Sequence, residues 1–390
     1  MHYRKYLMSL TKNEKTRACS GRFLHDARFR SYLAQATVLL VLIAALSYGG
    51  YNVVHNLQKA GVTTGFAFLD ETAGFDISQT LIAYSSKSTY ADALVVGLLN
   101  TLLVSALGIV FSTVLGFSLA VLRLSSNWLV SKLATTYVEI IRNIPLLLQI
   151  LFWYLAILAP LPSARKALSF EGIAYLCNRG LQLPRPVLDG GGNLVALALG
   201  LALVVSFFFI RWNHLRQRRT GRRFPAVLFS LVLIISLPLV ALACMGFPLH
   251  WELPVLKGFN FRGGITVLPE LIALLLALTL YTATFISEYV RSGIMSVDRG
   301  QKEAAEALGY QPWMIYRLII LPQAMRVAIP PLISQYLTLV KNSSLAVVIG
   351  YPDLIHVFAG TVLNQSGQAM EIIAITMADI SLLVWLYPFS

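Results

Sequence analysis

Long apolar stretches, separated by shorter segments that carry most of the charge, constrain this 390-residue chain more than any other feature. A hydrocarbon core about 30 Å thick is crossed by roughly 20 apolar residues rising 1.5 Å each. Eight stretches reach that length, at approximately 33–54, 94–122, 134–158, 193–210, 224–246, 267–290, 327–350 and 370–387. Charged residues make up only 13% of the chain and apolar residues 57%. A soluble domain carries about 25% charge, so this chain lacks the polar surface to cover a water-facing globule. Disorder requires low hydrophobicity and collagen a strict glycine repeat, and neither fits. The expected fold class is an all-α polytopic membrane protein with about eight transmembrane helices.

The basic residues set the orientation. The segment before the first stretch, the loops after the second, fourth and sixth, and the ends of the flanking spans together hold 21 Lys and Arg against five acids. The other side holds eight: Lys59, Lys87, Arg165, Lys166, Arg179, Arg185, Lys257 and Arg262. Both termini are therefore expected in the cytoplasm, and the loop 159–192 outside. The net charge of +13 then records topology on an anionic inner leaflet, not nucleic-acid binding. The first apolar stretch follows some thirty polar and basic residues, too long a leader for a signal peptide, and reads as a retained anchor. Cys19, Cys177 and Cys244 lie far apart with no His cluster, so neither a disulfide framework nor a metal site is expected.

Between the sixth and seventh stretches runs Ser296-Val297-Asp298-Arg299-Gly300-Gln301-Lys302-Glu303-Ala304-Ala305-Glu306-Ala307-Leu308-Gly309-Tyr310-Gln311-Pro312. Asp298 is a good N-cap, with Gln301 three residues on as in a capping box. An alanine-rich helix follows, and Gly309 stands where a left-handed terminator belongs. Pro312 can open a second helix and Pro322 interrupts it. The chain is thus expected to make a short capped helix outside the bilayer. From Glu303 the pattern runs E-A-A, three residues, Gly309, nine residues, Ile319, one residue, Leu321-Pro322.

That spacing resembles the EAA signature of the permease subunits of bacterial ABC importers. A second resemblance, to polar amino-acid permeases, runs through Gly97-Leu98-Leu99-Asn100-Thr101-Leu102, Leu115-Gly116, Leu122-Arg123-Leu124-Ser125 and Tyr137 to Gln149. It ends at Lys341-Asn342-Ser343-Ser344-Leu345, and the matched stretches cover roughly 94–158 and 280–378. The resemblance implies a five-helix type I importer permease core, with an N-terminal helix and an inserted helix pair added. The layout is most similar to the larger, Q-type permease subunits of general L-amino-acid transporters. The implied organisation is a basic cytoplasmic arm (1–32), a first helix and external loop (33–93), and the first part of the core (94–192). The inserted pair (193–246) and the second part of the core (247–390) follow, with the coupling loop at about 296–322. The resemblance further implies a separate ATP-binding subunit, a second and different permease subunit and a periplasmic amino-acid-binding protein. Together they would sit in a bacterial inner membrane. In such a system Glu303, Ala304, Ala305, Leu308, Gly309, Ile319, Leu321 and Pro322 would couple to the ATPase.

No GxxxxGK[ST] occurs, so ATP hydrolysis belongs to the partner and no cofactor is bound directly. A zwitterionic substrate needs partners of both signs, and charges inside spans are expensive. Glu139, Arg142, Glu288, Lys341 and Asp379 are the candidates for the path, with Asn342 and Ser343 beside Lys341. Glu139 with Arg142, and Glu288 with Arg291, lie three residues apart, so pairing between them competes with a substrate role. His55, His214, His250 and His356 fall in or near loops and are expected to be solvated. The rival function is a stand-alone secondary transporter or channel, for which the EAA helix would have no docking partner. The end Trp385-Leu386-Tyr387-Pro388-Phe389-Ser390 has no Lys or Arg after Lys341, and Asp379 falls inside the last stretch. Both depart from the family pattern and lead to the expectation of a truncated or frame-altered end.

Overall fold

A computed structural model describes residues 27–59, 65–188, 192–220, 225–246 and 249–386. Most of the basic arm expected at 1–32 lies outside these residues, as do Arg222, Arg223, Gly190, Gly191 and the last four residues.

Among the described residues, five helices are long and apolar enough to cross a bilayer: Arg30–Val53, Tyr90–Arg123, Gly192–Gln217, Pro269–Met295 and Pro312–Ile349. The first lies within α1 (Ala27–Lys59), which is exposed along its apolar length. The second is α2 (Tyr90–Arg123). Thr89 fixes its start by a reciprocal cap: its hydroxyl accepts the Asp92 N–H at 3.2 Å, and Asp92 Oδ2 accepts the Thr89 N–H at 3.0 Å.

The third expected stretch, 134–158, is not one helix. It divides into α3 (Trp128–Asn143) and α4 (Leu146–Leu158), bent by 101° from one another. The cause is local. Pro145 has no N–H and crowds the preceding residue, and Ile144 is accordingly extended at φ −88°, ψ 125°. With this bent pair counted as one crossing there are six candidate spans. The helices at the fifth and eighth positions, α6 (Ala226–Cys244) and α11 (Ala369–Leu386), have 19 and 18 residues and are not among them.

α5 (Gly192–Thr220) and α6 form a hairpin whose helices pack on each other, the Phe209 and Phe229 rings 4.7 Å apart. α7 (Pro269–Met295) lies against α2 at the centre of the molecule. Gly116 allows this crossing, since a Cβ there would fall 2.6 Å from Ile286 Cβ. Fully buried Val104, Leu274, Leu278, Leu339 and Tyr351 form the main core. After α7 come α8 (Arg299–Ala307), α9 (Pro312–Ile349) and α10 (Ile355–Val362). A second cluster joins Phe68 and Ala73 of the first loop to Tyr90, Phe358 and Ile372, tying that loop to α2, α10 and α11.

The expected irregular loop 159–192 instead holds four short strands. β1 (Leu168–Phe170), β2 (Ala174–Cys177) and β3 (Gly180–Leu183) form an antiparallel sheet, closed by β8 (Ile265–Val267) from the far side of the α5–α6 hairpin. Gln182 faces Thr266 in that register. β4 (Arg185–Leu188) pairs with β5 (Leu249–Glu252), and β6 (Val255–Lys257) with β7 (Asn260–Arg262). Gly180 is required here: its φ is +108°, and a Cβ would strike the Val267 carbonyl oxygen.

Candidate functional site

The segment from α7 to α9 is built by short-range chemistry. Asp298 begins α8, its Oδ1 accepting the Gly300 N–H at 2.8 Å. The bond goes to the second helical residue, and the Gln301 side chain takes no part, so Asp298 caps the helix singly and the expected reciprocal box is not formed. Gly309 at φ +77° ends the helix. Its N–H donates to Glu306 O at 2.9 Å and the Tyr310 N–H to Ala305 O at 3.1 Å, the two bonds of a Schellman cap. Pro312 then opens α9 at its first turn.

Ala305 is 2% exposed and packs with Ile315 and Ile320, backed by Ile294, Val297 and Ile319. A larger side chain at 305 would hold α8 away from the base of α9. The motif positions therefore split into two sets. Ala305 and Ile319 face inward, whereas Glu303, Ala304, Leu308, Gly309, Leu321 and Pro322 are exposed. Leu308, Trp313 and Tyr316 extend the uncovered apolar surface, Leu308 being 77% exposed. A capped helix with small residues outward and an apolar tip is suited to lie in a groove on another protein.

About two turns before the end of α7, Glu288 is held from two sides. Arg123 Nη1 at the end of α2 donates to Glu288 Oε2 at 2.7 Å, and Arg291 Nη2 to Glu288 Oε1 at 2.8 Å. The Arg123 side chain is only 8% exposed. Glu288 thus pins α2 to α7 and is no free contact for a substrate. Glu139 and Arg142 differ from expectation as well. They lie exposed on α3, before the break at Pro145, and among the described residues no ion pair joins them.

Lys341 lines a cavity of about 140 Å³ with Thr101, Val340, Ser343, Ser344, Asp353, Leu354, Ile355 and Ile380. Asn342 is not part of its wall. The hydroxyls of Ser343 and Ser344 are engaged with the carbonyls of Val340 at 2.8 Å and Lys341 at 2.6 Å. Asp353 went unnoticed in the sequence, yet it is 1% exposed, and its Oδ1 accepts the His356 N–H at 2.8 Å. His356 itself is half-buried on α10 rather than solvated.

The loop carrying Asp353 is held by the Gly97–Thr101 stretch of α2. Asn100 Nδ2 donates to Pro352 O at 2.8 Å and to Gln79 O at 2.9 Å, and the Leu354 N–H donates to Thr101 Oγ1 at 3.0 Å. Gly97 makes room, since a Cβ there would sit 3.0 Å from Leu354 Cα. Lys341 and the buried Asp353 side chain thus border the same cavity.

A family model described as binding-protein-dependent transport system inner membrane component matches residues 215–388. The chain is 52% identical over 349 residues to the putative amino-acid ABC transporter permease protein YhdX of Escherichia coli (strain K12), covering 90% of this chain and 89% of that one. It is 49% identical over 352 residues to the general L-amino acid transport system permease protein AapQ of Rhizobium johnstonii, covering 90% and 88%. Similarity extends to the glutamate/glutamine/aspartate/asparagine transport system permease protein BztB of Rhodobacter capsulatus, 44% identical over 386 residues and covering 91% and 90%.

Proposed function

The chain belongs to the permeases of binding-protein-dependent amino-acid ABC importers, and from that premise we propose how it works. It forms one half of a translocation path with a second, different permease subunit. Eight crossings, with both termini and α8 on the cytoplasmic side, fit the distribution of basic residues. ATP hydrolysis takes place on a separate subunit, and α8 docks into a groove there.

The observation that carries this reading is the geometry of the EAA segment. Ala305 anchors α8 to α9, Gly309 caps it, and Glu303, Ala304 and Leu308 are left uncovered on the far side. Closure of the ATPase moves α8 and, through the junction with α9, biases the spans between inward- and outward-open states. It can do so only if the ATPase binds those two states unequally. The substrate passes the Lys341 cavity, its carboxylate toward Lys341 and its ammonium toward Asp353. Co-purification tests the reading. The chain, expressed with its ATP-binding subunit, should retain that subunit through detergent solubilisation, and Leu308→Asp should release it. Retention unaffected by Leu308→Asp would place the docking surface elsewhere.

A further inference from the structure

The strands around the α5–α6 hairpin form a module that the five-helix core does not need. Its described residues, 159–188 and 249–268, carry Arg165, Lys166, Arg179, Arg185, Lys257 and Arg262 against Glu171 and Glu252. Among the described residues no ion pair joins any of these to one another. The module is firmly mounted: fully buried Cys177 ends β2, β3 pairs with β8, and β8 leads straight into α7. Its surface is not relaxed into self-neutralising pairs, as a structural elaboration alone could be.

One place on it is shaped for a ligand group. A cavity of about 200 Å³ is lined by Arg179, Gln182, Asn260, Phe261 and Thr266. Gln182 is 3% exposed, and its Oε1 accepts the Thr266 hydroxyl at 2.6 Å. The Phe261 wall is braced by Tyr175, ring centres 4.8 Å apart, and Arg165 lies over Phe259 at 3.9 Å. Arg179 stands in the turn between β2 and β3, exposed and with no hydrogen-bonded or ionic partner among the described residues. Its planar fork of donors, beside the amide of Asn260, matches a carboxylate. The space suits one acidic side chain rather than an acyl chain.

We propose that this module is the docking platform for the periplasmic binding protein, and that the Arg179 cavity receives a carboxylate from an acidic face of that partner. This rests on the importer reading above and on the outward orientation of 159–192. The excess of positive charge would speed encounter, and the cavity would fix the register of docking.

The test uses the complete transporter in nanodiscs of phosphatidylcholine alone, with ATPase activity followed as purified binding protein is titrated. Arg179→Glu should raise the half-stimulating concentration about tenfold, and Arg179→Gln less, with the maximal rate kept within about twofold. The difference should shrink at about 0.5 M salt, where exposed charges are screened. Lys87→Glu, an equal change of charge outside the module, should move the curve by less than about twofold. An unchanged curve for Arg179→Glu, or an equal shift for Lys87→Glu, overturns the assignment. A shift that requires anionic lipid in the disc assigns the cavity to lipid headgroups instead. If the wild type itself gives no response to binding protein, the importer reading fails and this inference with it.

Discussion

Gly309 permits a separation of backbone strain from side-chain bulk. Its φ is +77°, and an added Cβ would meet nothing within 4 Å. Any substitution there therefore acts through the backbone, not through a clash within this chain. For an ordinary L-residue the left-handed conformation costs roughly 1–2 kcal/mol, and for a β-branched residue more. That corresponds to about a 5–30-fold drop in the population of the capped helix. The Schellman bonds from Gly309 and Tyr310 are lost with it, and Leu308 is no longer held in place. Asn visits this conformation readily although it is about as bulky as Val.

Gly309→Val should accordingly reduce ATP-driven uptake about 5–30-fold, with membrane insertion intact and basal ATPase activity of the complex no longer linked to substrate. Gly309→Asn should retain most uptake. The assay is uptake of labelled amino acid in cells matched for permease level, alongside ATPase activity of the purified complex. Normal uptake by Gly309→Val would refute the coupling role of α8. Equal losses for Val and Asn would show that the open space at Gly309 is filled by the ATPase, and that strain is not the cause.

Three further perturbations follow from the packing. Replacing Glu288 by Gln breaks its pairs with Arg123 and Arg291. With Glu288 partly exposed, the loss should fall toward the lower end of the roughly 3–5 kcal/mol of a broken buried pair. It would be read as a lower unfolding temperature of the complex in detergent. The Arg123→Met/Glu288→Met double variant should recover part of that loss, since the charge left without its partner is then Arg291, whose side chain is 30% exposed. Gly116→Ala puts a Cβ 2.6 Å from Ile286 and should cost about 1–3 kcal/mol by the same measurement, whereas a neutral result would mean that α2 and α7 cross less closely. Lys341→Ala should weaken uptake with substrate-stimulated ATPase activity retained. Asp353→Asn should do the same, and unchanged uptake in both would remove the cavity from the path.

The parts of the structure that were legible in the sequence are those set by neighbours along the chain. Asp298, Gly309 and Pro312 act within a few residues of themselves, so the limits of α8 could be read directly. Hydropathy located the apolar stretches but sums over a break. Asn143-Ile144-Pro145 interrupts a run that is apolar on both sides, and the backbone rule at Pro145 decides the bend. The strands at 168–188 looked irregular because Pro160, Pro162, Pro184, Pro186 and the glycines at 190–192 punctuate the loop that holds them. Their partners, β5 and β8, stand beyond an inserted helix hairpin, and no local pattern reports pairing at that distance. Asp353 and Arg123 were missed for a related reason: both sit in loops or at a helix end by sequence, and only the folded chain buries them. Lys341 was recognisable because a cation inside an apolar run is costly wherever it lies.

The central claim is that a separate ATPase drives amino-acid import through this permease. It is tested most directly in proteoliposomes holding the complete transporter, with ATP enclosed in the lumen and binding protein with labelled amino acid outside. The account predicts uptake that requires lumenal ATP and external binding protein together, and that persists when ionophores collapse all ion gradients. Uptake by the chain alone, driven by an imposed ion gradient without ATP, would contradict it.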